Sequence, residues 1–367
     1  MSEESAVPAE RPVVVRLPVE PVESAVEADA LDAAVRSTGI AVRGPLFGVA
    51  TQTGGERWRV FIAVTHGCPQ QARDELNSAL WFRAKDAAKD RAERRALLAA
   101  VARLEAENVT DLTVLDTRYR VVRADEYANL DTHGGLETPR PTDPEPLTRD
   151  WSHVSNRPKV DDGLVLDPDA PLSPMQASER LAMRSLAYSG ARFPKAMLRD
   201  SARALRTHPD IFLMPTAFTI VERSGDGPWS VGSRLHTTPH EARRALDSSL
   251  TWMSPRERGL IPLEAGGDVD ARSLVAEGGR TGAEAAELTA LVRASDELRA
   301  GRLNQIEVHG TAFRIVRTRR LVRWGPDGPE SARPSDVSMT TPMALHPRLD
   351  EDGVVHFSDS RQEEAAS

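Results

Sequence analysis

Residues 238–252, TPHEARRALDSSLTW, follow the pattern of residues 68–82, CPQQARDELNSALWF, position by position. Pro239 falls on Pro69, Ala242 on Ala72, Arg243 on Arg73, Leu246 on Leu76, Ser248 on Ser78 and Leu250 on Leu80. A real repeat holds its register on both sides of such a match, and this one does. Upstream, FGVATQTGGERW (47–58) lies on FTIVERSGDGPW (218–229) without a gap, and Ile40 falls on Ile211. Downstream, LTVLDTRYRVVR (112–123) lies on IEVHGTAFRIVR (306–317), PRPTD (139–143) on ARPSD (332–336), and RPKVDDGLVL (157–166) resembles HPRLDEDGVV (346–355). The register shifts mainly between helix and hairpin, where the second half carries the loop-like EAGGDVDARSLVAEGG; loops are where insertions are tolerated. The expectation is a chain of two diverged copies of one unit.

Each copy begins with an amphipathic helix, PVESAVEADALDAAVRS or PKAMLRDSARALRTH, followed by two apolar strands around a Gly-containing turn. Proline then opens the main helix, with Cys68 or Thr238 at the N-cap, where Thr is the better cap. The first-half helix is expected to run on as FRAKDAAKDRAERRALLAAVARLEAE, whereas Pro255, Gly259 and Pro262 split the second. A fresh start follows at TGAE, a capping box of Thr281 and Glu284. A β-hairpin closes the unit, turning at LDT or VHG. Hairpins are marginal alone, so the fold class predicted is α+β: two tandem copies of a helix, β-hairpin, helix, β-hairpin unit, with an antiparallel sheet carrying its helices on one face. The boundaries are 1–26 for an N-terminal tail with a strand, 27–167 and 198–358 for the copies, 168–197 for a connecting helix capped by Ser173 and Gln176, and 359–367 for a disordered acidic tail. Trp58 and Trp229 are expected to anchor the core on Leu76 and Leu80, or Leu246 and Leu250.

With 40% hydrophobic and 28% charged residues in 367, the chain is that of a globular protein rather than a disordered one. Its net charge of -8 argues against a general nucleic-acid binder. No signal peptide or bilayer-length apolar run is present, which places the protein in the cytosol with no membrane partner. Cys68 is the only cysteine, so no internal disulfide or cysteine-cage zinc site can form.

Four residues mark the strand-to-helix corners as a candidate ligand or anion site: His66, Cys68, His236 and His240. Free backbone N–H groups at a helix start attract anions, though a histidine there also serves as a local hydrogen-bonding group. His236 and His240 have the spacing of a helical metal pair, but His236 precedes the helix-opening proline and Gln70 replaces His240 in the other copy, so no metal site is assigned. Cys68 beside a helix start and near His66 has the setting of an activated thiol, but its counterpart Thr238 makes a buried, inert cysteine the plainer reading. No nucleotide, hydrolase or metalloprotease motif is present; no catalytic residue and no cofactor is assigned. The strand TAFRIVRTRRLVRW (311–324) carries Arg314, Arg317, Arg319, Arg320 and Arg323 with Phe313 and Trp324 and no acid. Such a strand can contact phosphates and stack bases, or can present a solvated face. Asp125 and Glu126 stand where the second copy has Arg319 and Arg320, opposite charges that would meet if the copies pack about a two-fold axis.

The segments GERWRVFIAV, ARDELNSALWFRAKD and RPTDPEP resemble an uncharacterised family of hypothetical proteins from streptomycetes and related actinobacteria. The resemblance implies a cytosolic protein and carries no assigned site residues. The function expected is a non-enzymatic interaction or scaffold module with protein partners. The alternatives are a small-molecule or anion binder, in which enzymatic activity stays open, at the histidine corners, and a nucleic-acid binder on strand 311–324.

Overall fold

A computed structural model describes residues 11–152 and 158–357; the expected acidic tail 359–367 lies outside them. The chain runs α1 (Pro21–Arg36), β1 (Gly39–Thr53), β2 (Arg59–His66), α2 (Pro69–Asp86), α3 (Arg91–Ala106), β3 (Asp111–Val114) and β4 (Thr117–Leu130). It continues with α4 (Pro174–Met183), α5 (Lys195–Thr207), β5 (Asp210–Leu213), β6 (Ala217–Ser224), β7 (Ser230–Val231) and α6 (Pro239–Ser248). A π-helical turn (Ser249–Met253) leads into α7 (Ser254–Glu257) and α8 (Ala271–Glu277). Then come α9 (Gly282–Gly301), β8 (Gln305–Val308), β9 (Thr311–Gly325), β10 (Gly328–Pro329), β11 (Arg348–Leu349) and β12 (Val355–His356). Among the described residues no helix is long and apolar enough to cross a membrane.

The fold is α+β, built on one large antiparallel sheet with spine β2-β1-β4-β9-β6-β7. β1 pairs with β4 from Gly39 on Leu130 to Thr53 on Thr117, with one extra residue at Val42–Gly44. The strands β5 and β6 pair with β9 from Asp210 on Trp324 to Ser224 on Thr311, again with one residue extra, between Leu213 and Ala217. Those end points are the positions the sequence match equates. The two sets of strands join where β4 meets β9, over Ala124–Tyr127 against Val322–Arg319. Glu126 sits opposite Arg320, and the sequence match makes these two equivalent, so a local two-fold passes between them.

Alternation along β4 and β9 puts Val121, Tyr127, Ile315 and Leu321 on one face. The helices cover that face. α2 and α3 pack Leu76, Leu80, Leu97 and Leu104 on Phe47, Val49 and Val121; α6 and α9 pack Leu246, Leu288, Leu291 and Leu298 on Phe218, Ile220 and Ile315. The expected single long helix in the first half is two helices instead. Asp90 accepts a hydrogen bond from Glu93 N (2.8 Å) and starts α3 afresh, which lets Leu97, Val101 and Leu104 fold back onto α2 rather than project into water. Ser173 and Gln176 form the capping box of α4 as predicted, whereas Thr281 begins α9 without a side-chain cap bond.

Trp58 does not anchor α2. It belongs to a cluster on the opposite face with Ala50, Val60, Val122, Val322 and Trp324, because the register shift of β2 between Val60 and Ile62 leaves Val60 and Trp58 on that face and turns Ile62 to the helices. Arg118 and Arg120 lie over its ring, Arg120 at 5.2 Å. The equivalent Arg314 lies 5.2 Å over Trp229.

After each hairpin the chain crosses to the other half. Glu137 N donates to Asn129 O and Glu137 O accepts from Arg317 N (2.8 Å); Glu330 N donates to Arg323 O and Glu330 O accepts from Arg123 N (3.0 Å). Each arm then makes an Arg-Pro-x-Asp turn, closed by Arg140 N on Asp143 and Arg333 N on Asp336 (2.7 Å each). The turn aspartate meets an arginine of the opposite half: Arg317 Nε to Asp143 at 3.1 Å, Arg123 Nε to Asp336 at 3.0 Å. The first arm goes on to set Trp151 against His240, and the second inserts Leu349 into the α2–α3 core.

Two predictions follow from these buried charges. Breaking a buried ion pair by removing one partner costs about 3–5 kcal/mol, so Asp143→Ala and Asp336→Ala should each lower stability by that amount in urea unfolding; unchanged midpoints would show the arms to be ornamental. Asp247, fully buried, takes both oxygens to Arg299 at 2.7 Å and accepts from Ser295 and Arg272. Burial alone would raise its pKa, but the Arg299 and Ser295 bonds and the charges of Arg272 and Arg299 hold it below the usual aspartate value. Its contribution is therefore complete above the unfolded pKa of about 3.9 and lost as pH falls through the depressed folded value. Asp247→Asn should cost about 1–3 kcal/mol at pH 7 and flatten the acid limb below about pH 4, as a stability–pH profile would report.

Candidate functional site

β4 and β9 stay paired for only four residues because the returning arms wedge between them at both ends, at Glu137 and at Glu330. At the Glu137 end the face opposite α2, α3, α6 and α9 opens into a cleft of about 670 Å³, within the usual range for ligand pockets. Ala128, Val221 and Val316 form its floor. Phe193 and Met197 wall one side, Trp229 and Val231 the other. Its deepest polar group is Glu126, 2% exposed, which accepts from Thr318 Oγ1 (2.9 Å) and from Arg43 Nη1 (2.8 Å). Gly44, opposite Glu126 at the bulge, has φ +146°, and the space where its side chain would stand is open.

The opposite, helical face of the same joint is ionic. Arg123, 1% exposed, donates to Asp125 Oδ1 (2.6 Å) and to Tyr188 Oη (2.9 Å), and the Tyr188 hydroxyl donates to Asp125. Burial would raise the Asp125 pKa, but Arg123 and Arg333 together with the bonds from Tyr188 and Arg123 keep it below the usual range. Burial and the Asp125 charge push Tyr188 up, so it remains a donor.

The predicted arginine strand lies mostly inside. Arg320 and Arg323 are 1% exposed and Arg317 7%. Arg320 forks onto Asp161 (2.5 and 2.8 Å), Arg323 caps the carbonyls of Arg184 and Leu186, and Arg319 pairs with Glu179. Arg314 stays nearer the surface on Gln305 and Trp229. Asp125 and Glu126 do meet the β9 strand, yet they pair with Arg123 and Arg43 rather than with Arg319 and Arg320. The reason is reach: Asp161 and Glu179 arrive from segments lying over each face and engage the guanidinium groups first.

The histidine corners are occupied by contacts within the chain, that of His240 coming from the first-half arm. His66 Nε2 lies 2.7 Å from Glu75 Oε2. Cys68 is buried at the start of α2 and makes no side-chain cap bond. His236 is joined to Phe218 by two backbone hydrogen bonds, N to O at 2.7 Å and O from N at 2.9 Å. His240 Nε2 is 3.0 Å from Asp150 O, its ring edge-on to Trp151. Among the described residues no three His, Cys, Asp or Glu side chains converge to hold a metal ion. Sequence reasoning missed the cleft, whose lining comes from β1, β4, α5, β6, β7 and β9. Gly44 was the available signal, since a glycine inside an apolar strand marks a bulge.

A family of unknown function (DUF5954) matches residues 20–339, and the chain belongs to it. No curated protein and no solved structure matches the chain.

Proposed function

We propose that the chain is a fused pair of one α+β unit and acts as a non-enzymatic interaction module, taking an extended, basic and apolar peptide segment into the cleft beside β7. The observation that carries this is how the first half treats the same place. Ala50, Val122, Val322 and Trp58 are the counterparts of Val221, Val316, Ala128 and Trp229, and there residues 160–166 cover them. Val60 N donates to Leu164 O and Leu166 N to Trp58 O (2.8 Å each), adding a strand to β2. The same segment brings Asp161 to Arg320. In the second half Leu136 packs on that floor, and among the described residues no segment hydrogen-bonds to the outer edge of Ser230–Val231. Gly232 N bonds Ile220 O, so antiparallel alternation turns the N–H and C=O of Trp229 and Val231 to the open edge. An edge with unpaired backbone and an apolar floor is suited to strand addition. Since Glu126 stands where the first half has Arg320, the matching occupant reverses the charge: a Lys or Arg three residues before the first of two alternating apolar side chains.

Among the described residues the cleft lining holds no histidine, serine or cysteine, which supports binding rather than catalysis. The burial of Arg317, Arg320 and Arg323 weighs against the nucleic-acid reading. The test uses two seven-residue peptides, VDDGLVL (the sequence of residues 160–166) and its charge-reversed form VRDGLVL, titrated against the full chain by calorimetry. VRDGLVL should bind at least about tenfold tighter, a difference of about 1.4 kcal/mol. Glu126→Gln should erase that preference, and Val231→Pro, which removes the outward N–H on an edge strand, should abolish binding. Equal affinity for both peptides, or binding indifferent to Val231→Pro, would refute strand addition; affinity for small aromatic amines without either peptide would point to a small-molecule site.

A further inference from the structure

The Arg-Pro-x-Asp arms end on equivalent arginines with different company. Arg243, 6% exposed, donates from Nη1 to Glu145 Oε1 at 2.5 Å and from Nη2 to Asn304 Oδ1 at 2.6 Å. Its counterpart Arg73, 4% exposed, has only neutral partners: Gln70 Oε1 at 2.9 Å, Asn108 Oδ1 at 3.1 Å and Ser338 Oγ at 3.4 Å. Extending the match of RPTD with RPSD by two residues sets Glu145 on Ser338. The second-half arginine thus meets a carboxylate brought by the first-half arm, and the first-half arginine meets a hydroxyl brought by the second-half arm, beside a cavity of about 450 Å³ lined by Arg73, Asn108, Ser338, Thr340 and Thr341. Arg73 Nη1, the nitrogen that in Arg243 holds the carboxylate, has no hydrogen-bond partner among the described residues. Asp336 lines the same cavity, and its Oδ1 is buried without a partner. Arg73 feels the charge of Asp74 but forms no ion pair among the described residues, and an unmet buried acceptor such as Asp336 Oδ1 is costly; one ligand would engage both.

We propose that this cavity binds a small hydroxycarboxylate, its carboxylate on Arg73 Nη1 in the place Glu145 takes on Arg243, and its hydroxyl donating to Asp336 Oδ1. The α2 N-terminus, where Gln70 N already donates to Ser338 Oγ at 3.1 Å, adds a favourable field for the anion. This inference concerns a different cavity from the peptide cleft and stands or falls apart from it.

The probes are lactate, acetate, phosphate and chloride at constant ionic strength, read by thermal melting and calorimetry of the full chain. Lactate should raise the melting midpoint more than acetate, and acetate more than chloride. Ser338→Glu should raise the midpoint without added anion and eliminate the lactate response, because the chain then supplies the carboxylate itself. Glu145→Ser should create a second lactate-dependent site at Arg243, and Arg73→Gln should weaken lactate binding at least about tenfold. If Glu145→Ser does not fold, Ser338→Glu decides alone. A lactate response that persists in Ser338→Glu, or equal responses to lactate and chloride, would overturn the site; a stronger response to phosphate than to lactate would overturn the carboxylate assignment.

Discussion

Two buried arginines, Arg123 and Arg317, tie the halves of this molecule together, because each takes a carboxylate from the other half of the chain, Arg123 in addition to Asp125 on its own strand. Asp336 reaches Arg123 and Asp143 reaches Arg317 through arms that cross the central joint in both directions. A guanidinium 1% or 7% exposed has lost most of its hydration, and its neutralisation is a condition of folding rather than a surplus. Among the described residues Arg317 has only Asp143 as an ion-pair partner, whereas Arg123 also has Asp125. The same crossings place Trp151 on His240 and Leu349 in the α2–α3 core, so the two helical layers are also completed from across the joint.

The joint itself is short for a geometric reason. Antiparallel pairing of equivalent strands puts Glu126 opposite Arg320, on the local two-fold, and three residues before each of them, at Arg123 and Arg317, an arm carbonyl takes over the strand's hydrogen bonds. Ionic groups collect on the helical face, where Arg123, Asp125 and Tyr188 complete one another. The other face is apolar apart from the axis residues. There the symmetry breaks: residues 160–166 cover the first-half surface, and the equivalent surface with Trp229 stays open.

Both functional proposals rest on departures of this kind. Both treat the halves as copies of one unit, so that each aligned position is compared with a counterpart set the same physical problem. Where one copy fills a surface or neutralises a charge and the other does not, the unfilled copy has freedom that binding can use. Glu126 against Arg320 and Ser338 against Glu145 are two such departures, one in an apolar groove and one at a buried cation.

Local pattern alone announced most elements: the proline-opened helices, the strands that begin beside Trp58 and Trp229, the interruption of the second-half helix around Pro255 and the cap at Ser173. It misjudged α2–α3, where a charge-laced run looked continuous and Asp90 as an N-cap outweighed helix propensity. It put Trp58 on the helix because strand phase was guessed without knowing the bulges, and one extra residue exchanges the faces of a strand. The repeat in the sequence determined that the halves share elements and strand register, because both are properties of neighbouring residues. Only tertiary structure decided that Arg123 meets Asp336, 213 residues away, that the arginines of β9 turn inward, and that one of two equivalent apolar surfaces remains uncovered. Those outcomes depend on which segments arrive from elsewhere, and no local periodicity encodes the path of an arm across a sheet.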